Sequence, residues 1–378
     1  MGIYEKLGVR RVVNAAGTIT TLGGSIMEPE TLEAMNDAAT SFVYMDELID
    51  KAGNVIAEIT GSEAAFVTSG ATAGLALATA ACMTGKDFAK MRRLPDTSGM
   101  KNEVIIEKGH RNRYDVGIRM TGARIIEVGD IETQSWEVEA AVNEKTAAIV
   151  YVLLDPQPFM LSLEEIIRIG KKHDVPVIAD VAAELPPVEN LKKFIDMRVD
   201  LVVFSGGKGI RGPNDSGFIC GRKDLIEACA LQGFPRYGIG RAMKISREQI
   251  VGLVIALQKF VRRDHEADMR RWTRMAKYMA EELRGIPHIE VELVFPERGS
   301  RPLAMPRPLC IPRVRLTLDE KRLGVTVNDA AESFRKEDPC VEVWAVPNLG
   351  EIYLNPQCLL DSQEKIVVER IKKILTII

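Results

Sequence analysis

One lysine lies among glycines directly after an apolar run, in Phe204-Ser205-Gly206-Gly207-Lys208-Gly209. Glycines let a backbone approach a ligand closely. An ammonium beside apolar surface loses pKa to desolvation, which leaves a neutral amine able to attack an aldehyde. A surface-loop lysine has the same local sequence, so the chemistry needs partners. Val177-Ile178-Ala179-Asp180 ends another apolar run in a carboxylate, 28 residues before Lys208. An unpaired charge there is costly and calls for a cation, such as a protonated pyridine nitrogen, or for duty as a helix cap. Ser69-Gly70-Ala71-Thr72 follows a third run and opens a stretch of small residues. Backbone N–H groups and hydroxyls in such a turn hold a phosphate, although helix capping uses the same residue types.

The order of the three features narrows the reading. A phosphate turn, then a strand-end acid, then a strand-end lysine are what pyridoxal 5'-phosphate requires: a phosphate cradle, an anion for its ring nitrogen and an amine for a Schiff base.

The elements that must position these residues are short β-branched runs alternating with stretches of helical period, the pattern of a mostly parallel α/β sheet covered on both faces. Seven runs are predicted as strands: Ala64–Thr68, Glu103–Glu107, Arg124–Val128, Ala147–Leu154, Val175–Ala179, Leu201–Phe204 and Gly217–Cys220. Helices are predicted at Thr72–Met83, Arg113–Thr121 and Ser162–His173, the last with Ser162 as N-cap and Glu165 as its capping-box partner. Ligands bind at the carboxyl ends of such strands, which adds Lys108-Gly109-His110 and Asp155 to the polar strand ends. Beyond Gly221 the spacing predicts one long helix over Glu248–Arg284, its charge-dense Arg262–Arg274 a solvated face. The Pro- and Arg-rich Phe295–Val314 reads as a loop entering a final α+β domain at Arg315–Ile378. The expected domains are an N-terminal segment at 1–50, a large cofactor-binding domain at 51–255 and a small C-terminal domain at 256–378.

Composition excludes several classes. Apolar residues are 46% and charged residues 27% of the 378, values of an ordinary globular chain rather than a disordered one. A net charge of −3 provides no basic excess for nucleic-acid binding. Met1–Arg11 carries Glu5, Lys6, Arg10 and Arg11 without a secretory apolar core, and no run reaches the ~18 apolar residues of a membrane span. Six cysteines without a CxxC pair suit a reduced, cytoplasmic protein and offer no metal-ligand spacing.

Three segments resemble the selenocysteine synthase-like (SelA-like) branch of fold-type-I pyridoxal-phosphate enzymes. Val12-Val13-Asn14-Ala15-Ala16-Gly17-Thr18 is similar to the family's "INATG" segment. Ser205-Gly206-Gly207-Lys208 with Gly212-Pro213 and Gly217 resembles its lysine motif, and Gly240-Arg241-Ala242-Met243-Lys244 the segment after it. The similarity covers roughly the first 260 residues. It implies the aspartate-aminotransferase-like fold, a homodimer or larger homo-oligomer with the cofactor at a subunit interface, and a small domain built from both chain ends. It further implies Lys208 as the Schiff-base lysine and Asp180 as the pyridinium partner. Ser69, Gly70, Ala71, Thr72 and Ser205 would hold the phosphate, with His110 beside the ring. The family's selenium transferases carry a longer N-terminal region for tRNA, whereas this sequence begins almost at the "INATG" segment. Leu354-Asn355-Pro356-Gln357 has no arginine where that branch often has one.

The shorter relatives include ammonia-lyases of 2-amino sugar acids, so the resemblance points to α,β-elimination on a β-hydroxy amino acid or an acid like D-glucosaminate 6-phosphate. The same site chemistry serves aldolases, racemases and aminotransferases, and a selenium transferase acting on aminoacyl-tRNA is a further alternative. Arg111, Arg113, Arg211, Arg236 and Arg241 lie near strand ends or the lysine loop and are candidates for a substrate carboxylate or phosphate.

Overall fold

The computed structural model describes residues 2–153, 159–295 and 307–377. Twelve strands occur among them: β1 Val12–Ala15, β2 Ala64–Thr68, β3 Glu103–Glu107, β4 Arg124–Val128, β5 Thr146–Val152, β6 Val177–Asp180, β7 Leu201–Ser205, β8 Gly217–Gly221, β9 Ile289–Val294, β10 Arg313–Leu318, β11 Cys340–Val346 and β12 Glu351–Leu354. They form two sheets in two compact units. One unit is residues 27–263; the other combines the chain up to Ile26 with Asp264 onward.

The larger unit holds a seven-stranded sheet in the order β2-β8-β7-β6-β5-β3-β4, in which β8 alone runs antiparallel to its neighbours. This is the predicted α/β architecture of fold-type-I enzymes, and each expected strand is present with ends shifted by at most a few residues. Leu154 and Asp155 lie outside the described residues. The central strands are apolar on both faces because helices cover both: Ile105, Ile149, Ile178, Val202 and Ile219 are all essentially inaccessible. The helix Ala71–Thr84 packs on β5 through β8, and its small residues allow the approach, since a Cβ on Gly74 would sit 2.7 Å from Val203 Cγ1.

Helix ends follow local chemistry. Ser162 accepts the Glu165 N–H (3.2 Å) at the start of Leu163–His173, but the reciprocal capping-box bond is missing. Glu165 instead bonds Ser135 and Arg168, stronger partners for a carboxylate than a backbone amide. Residues 27–50, expected in an N-terminal segment, belong to the larger unit because the helix Met45–Thr60 buries Ile49, Ala52 and Ile56 in its core.

The expected long helix is two, Arg247–Arg262 and His265–Leu283. Arg263 is extended (φ −65°, ψ 145°), and the Asp264 carboxylate accepts the Ala267 N–H (2.8 Å), so a local N-cap ends one helix and starts the next. Strands also resume earlier than predicted. Edge strand β9 pairs antiparallel with β10, so the Pro-rich stretch connects two strands of one sheet rather than leading into a domain; residues 296–306 of it are outside the described set. The smaller unit's sheet has the order β1-β11-β12-β10-β9, with β1 parallel to β11, and a core of Val13, Val314, Leu316, Phe334, Val341 and Ile352.

Candidate active site

The ladder registers of the larger sheet bring polar strand ends to one edge. Val152 stands opposite Asp180 and Asp180 opposite Val203. Thr68 and Ser205 both pair with Gly217, one from each side. The turn after β2, the acid ending β6 and the lysine loop after β7 therefore share the carboxyl edge of the parallel strands, where ligands bind in such sheets.

Gly70 caps the helix Ala71–Thr84 at φ 116°, ψ 167°, a conformation open to glycine, and no side chain occupies the cap. A Cβ at Gly70 would meet nothing within 4 Å, so the space beside the cap residue is open. Thr68 Oγ1 donates to the Gly70 carbonyl (2.9 Å) and braces the turn. Ser69, Ala71, Thr72 and Ser205 are half-buried around it. Gly217 holds this turn against the lysine loop: a Cβ there would lie 2.6 Å from the Phe204 carbonyl and 3.1 Å from the Ala71 nitrogen.

Asp180 is 7% exposed and takes the Ala182 N–H at 3.0 Å. Burial raises its pKa, while the Ala182 bond and the Lys208 charge pull it down. Burial likewise lowers the Lys208 amine, against the raising charges of Asp180 and Glu184. Each group is drawn toward its neutral form, the state a lysine nucleophile needs. The glycines beside Lys208 are set by packing rather than by ligand approach. A Cβ at Gly207 would meet the Asn214 backbone at 2.5 Å and one at Gly209 the Leu185 carbonyl at 2.1 Å.

His110 follows β3, is 1% exposed, and stands edge-on to Tyr151 with ring centroids 4.2 Å apart at 76°. Its Nδ1 is buried without a hydrogen-bond partner, and burial lowers its pKa to about 4. A neutral, desolvated ring can pack against another planar group.

The five arginines are spread out. Arg111 bonds Asp115 and Glu127, both at 2.6 Å. Arg113 is exposed. Arg211, in the lysine loop at φ 62°, lies 3.5 Å from Glu28. Arg236 donates to the Ala230 carbonyl (3.1 Å) and pairs with Asp46 (3.5 Å). Arg241 is exposed over Phe234 and Tyr237.

Sequence reading missed Glu184 and Tyr151. Glu184 is 4% exposed. Its signal is a lone acid between Val181-Ala182-Ala183 and Leu185-Pro186-Pro187, four residues past Asp180. Tyr151 sits inside an apolar strand and carries no such signal.

In the smaller unit, Asn14 closes the "INATG"-like turn by accepting from the Ala16 and Gly17 N–H groups (2.9 and 3.2 Å) and donating to the Gly17 carbonyl (2.8 Å).

Residues 12–286 match the family described as SelA, L-seryl-tRNA selenium transferase. The chain is 34% identical to the D-glucosaminate-6-phosphate ammonia lyase of Salmonella typhimurium, covering 98% of this chain and 97% of that one. It is 35% identical to a 5'-C-glycyluridine monooxygenase-decarboxylase of a Streptomyces species, covering 98% and 92%. A solved D-glucosaminate-6-phosphate ammonia-lyase structure superimposes with a TM-score of 0.84 at 33% identity, over 99% of this chain and 98% of that one.

Proposed function

The chain belongs to the SelA family, and on that premise we propose that it is a pyridoxal-phosphate-dependent ammonia-lyase. Its substrate would be a β-hydroxy amino acid or a 2-amino sugar acid like D-glucosaminate 6-phosphate, converted to a 2-oxo acid and ammonia. The observation that carries the reading is the end-to-end similarity to an ammonia lyase in a chain whose half-buried Lys208 and buried Asp180 share one sheet edge.

The residues present fit the cofactor. The uncapped N-terminus at Gly70 and the buried Asp180 each lack the complement that its phosphate and ring nitrogen would provide, and His110 offers a flat, neutral ring for its ring face. Bound pyridoxal phosphate supplies an electron sink for negative charge at the substrate Cα. Ser69, Gly70, Ala71, Thr72 and Ser205 would hold the phosphate, and Asp180 would keep the ring nitrogen protonated. Lys208 would take the proton from Cα and, as ammonium, pass it to the departing β-hydroxyl, since bare hydroxide leaves poorly. Glu184 favours that ammonium by charge. Arg211 is our candidate for the substrate carboxylate, because it belongs to the lysine loop itself and a guanidinium fork matches a carboxylate. A free small-molecule substrate, a cytoplasmic location and a homodimer or larger homo-oligomer complete the proposal. The acidic net charge and the six free thiols support the first two.

The Streptomyces relative supports a second reading, oxidative decarboxylation of an amino acid, at 35% identity. Turnover of D-glucosaminate 6-phosphate and of D- and L-hydroxyamino acids, assayed for ammonia, carbon dioxide and oxygen uptake, with and without oxygen and with and without a keto-acid acceptor, separates the two. Ammonia release that needs neither supports the lyase. Release of carbon dioxide with oxygen uptake would establish the second reading, and strict dependence on the acceptor would mean transamination.

A further inference from the structure

We infer that Glu107 and Tyr151 are positioning residues that set the plane of the His110 ring through the backbone of Leu161. The inference rests on the proposed reading of His110 as the residue beside the cofactor.

Glu107 is the last residue of β3 and is 3% exposed. Its Oε2 accepts the Leu161 N–H at 3.3 Å, and its carboxylate also bonds the Thr133 side chain. Its Oε1 is buried without a partner. The Leu161 carbonyl in turn accepts the Tyr151 hydroxyl at 3.3 Å. One residue is thus held at both backbone groups, by a carboxylate from β3 and a phenol from β5. The Thr133 N–H donates to the Phe159 carbonyl at 2.8 Å, which ties the same segment to the chain beyond β4. The Tyr151 ring then meets His110 edge-on, and the space beside the turn is closed, because a Cβ on Gly109 would come within 3.1 Å of Met160 Sδ.

The consequence for His110 is mechanical. Its Nδ1 has no hydrogen bond to define the ring's orientation, so packing against Tyr151 must do so. Tyr151 is oriented by a hydroxyl bond to a backbone that Glu107 anchors. Loosening either tie frees the ring while leaving the core strands in place.

Two variants test this, Tyr151→Phe and Glu107→Met, each alone and combined with His110→Asn. Tyr151→Phe keeps the ring but loses the bond to Leu161; Glu107→Met keeps the reach but has no oxygen to accept the Leu161 N–H. In cofactor-free protein, NOEs between the His110 ring protons and those of the aromatic ring at position 151 should weaken in both variants, with the circular dichroism spectrum unchanged. In loaded protein, kcat should fall roughly threefold to a hundredfold with little change in KM, the cofactor absorption band should shift, and both effects should vanish in the His110→Asn background. Unaltered NOEs, or penalties that persist without His110, overturn the inference. If Glu107→Met does not fold, Tyr151→Phe decides by the same criteria. If His110→Asn alone leaves kcat and the spectrum unchanged, the reading of His110 beside the cofactor fails, while the NOE measurement still decides whether the two residues fix the ring.

Discussion

Ser205 stands directly opposite Gly217 in the β7–β8 ladder, and the position where Gly217 would carry a Cβ lies 3.1 Å from the Ala71 nitrogen. A side chain there must push the start of the Ala71–Thr84 helix away from the lysine loop. Gly217→Val should therefore weaken cofactor binding by about tenfold or more, since overpacking of this kind costs roughly 1–3 kcal/mol. Titration of the protein with pyridoxal phosphate, followed by absorbance, measures it; unchanged affinity would mean that the two loops do not share the phosphate.

Borohydride reduction of the loaded protein should attach the cofactor to Lys208, which burial draws toward the neutral amine. Peptide mapping reads the site. Label on another lysine, or none with excess cofactor, would remove the central claim of the proposed mechanism.

Asp180→Asn should retain the cofactor but slow α-proton exchange by roughly a hundredfold or more, because a neutral amide cannot keep a ring nitrogen protonated. Exchange into deuterated water, followed by NMR, is the measurement. Near-normal exchange would show that another group pairs with the nitrogen.

His110 predicts a pH dependence of the cofactor-free fold. Its folded pKa is depressed from 6.5 to about 4 by burial, so an unfolded chain binds a proton there that the folded chain does not. The stabilising contribution is complete above about 6.5 and is lost as pH falls toward about 4. Between about pH 7 and about pH 5 the loss is on the order of 2 kcal/mol. Urea unfolding at the two pH values, with His110→Asn as the reference, should show that extra slope in the unsubstituted chain alone.

Much of this protein was legible in the order of its residues. Strands buried on both faces read as continuous apolar runs, so β2 to β8 could be found, and a polar residue ending such a run is conspicuous. Asp180 and Lys208 were visible for that reason. Strand β9 carries a different signal, the period-two alternation Ile289-Glu290-Val291-Glu292 of a half-exposed edge strand in place of an apolar run. The break at Arg263 was hidden within a helical period that continues across it.

What the tertiary structure alone decided is which residues meet. The sheet order sets β3 beside β5, although β4 lies between them in the chain, and this brings His110 against Tyr151 and Glu107 against Leu161. It sets Gly217 between Thr68 and Ser205, which are more than a hundred residues apart in sequence. It also commits Arg111 to Asp115 and Glu127. Hydrophobic periodicity reports how deeply a segment is buried and carries no information about its neighbour. The neighbour is chosen by helical crossovers that close over the sheet, and their order appears only when the whole core is packed.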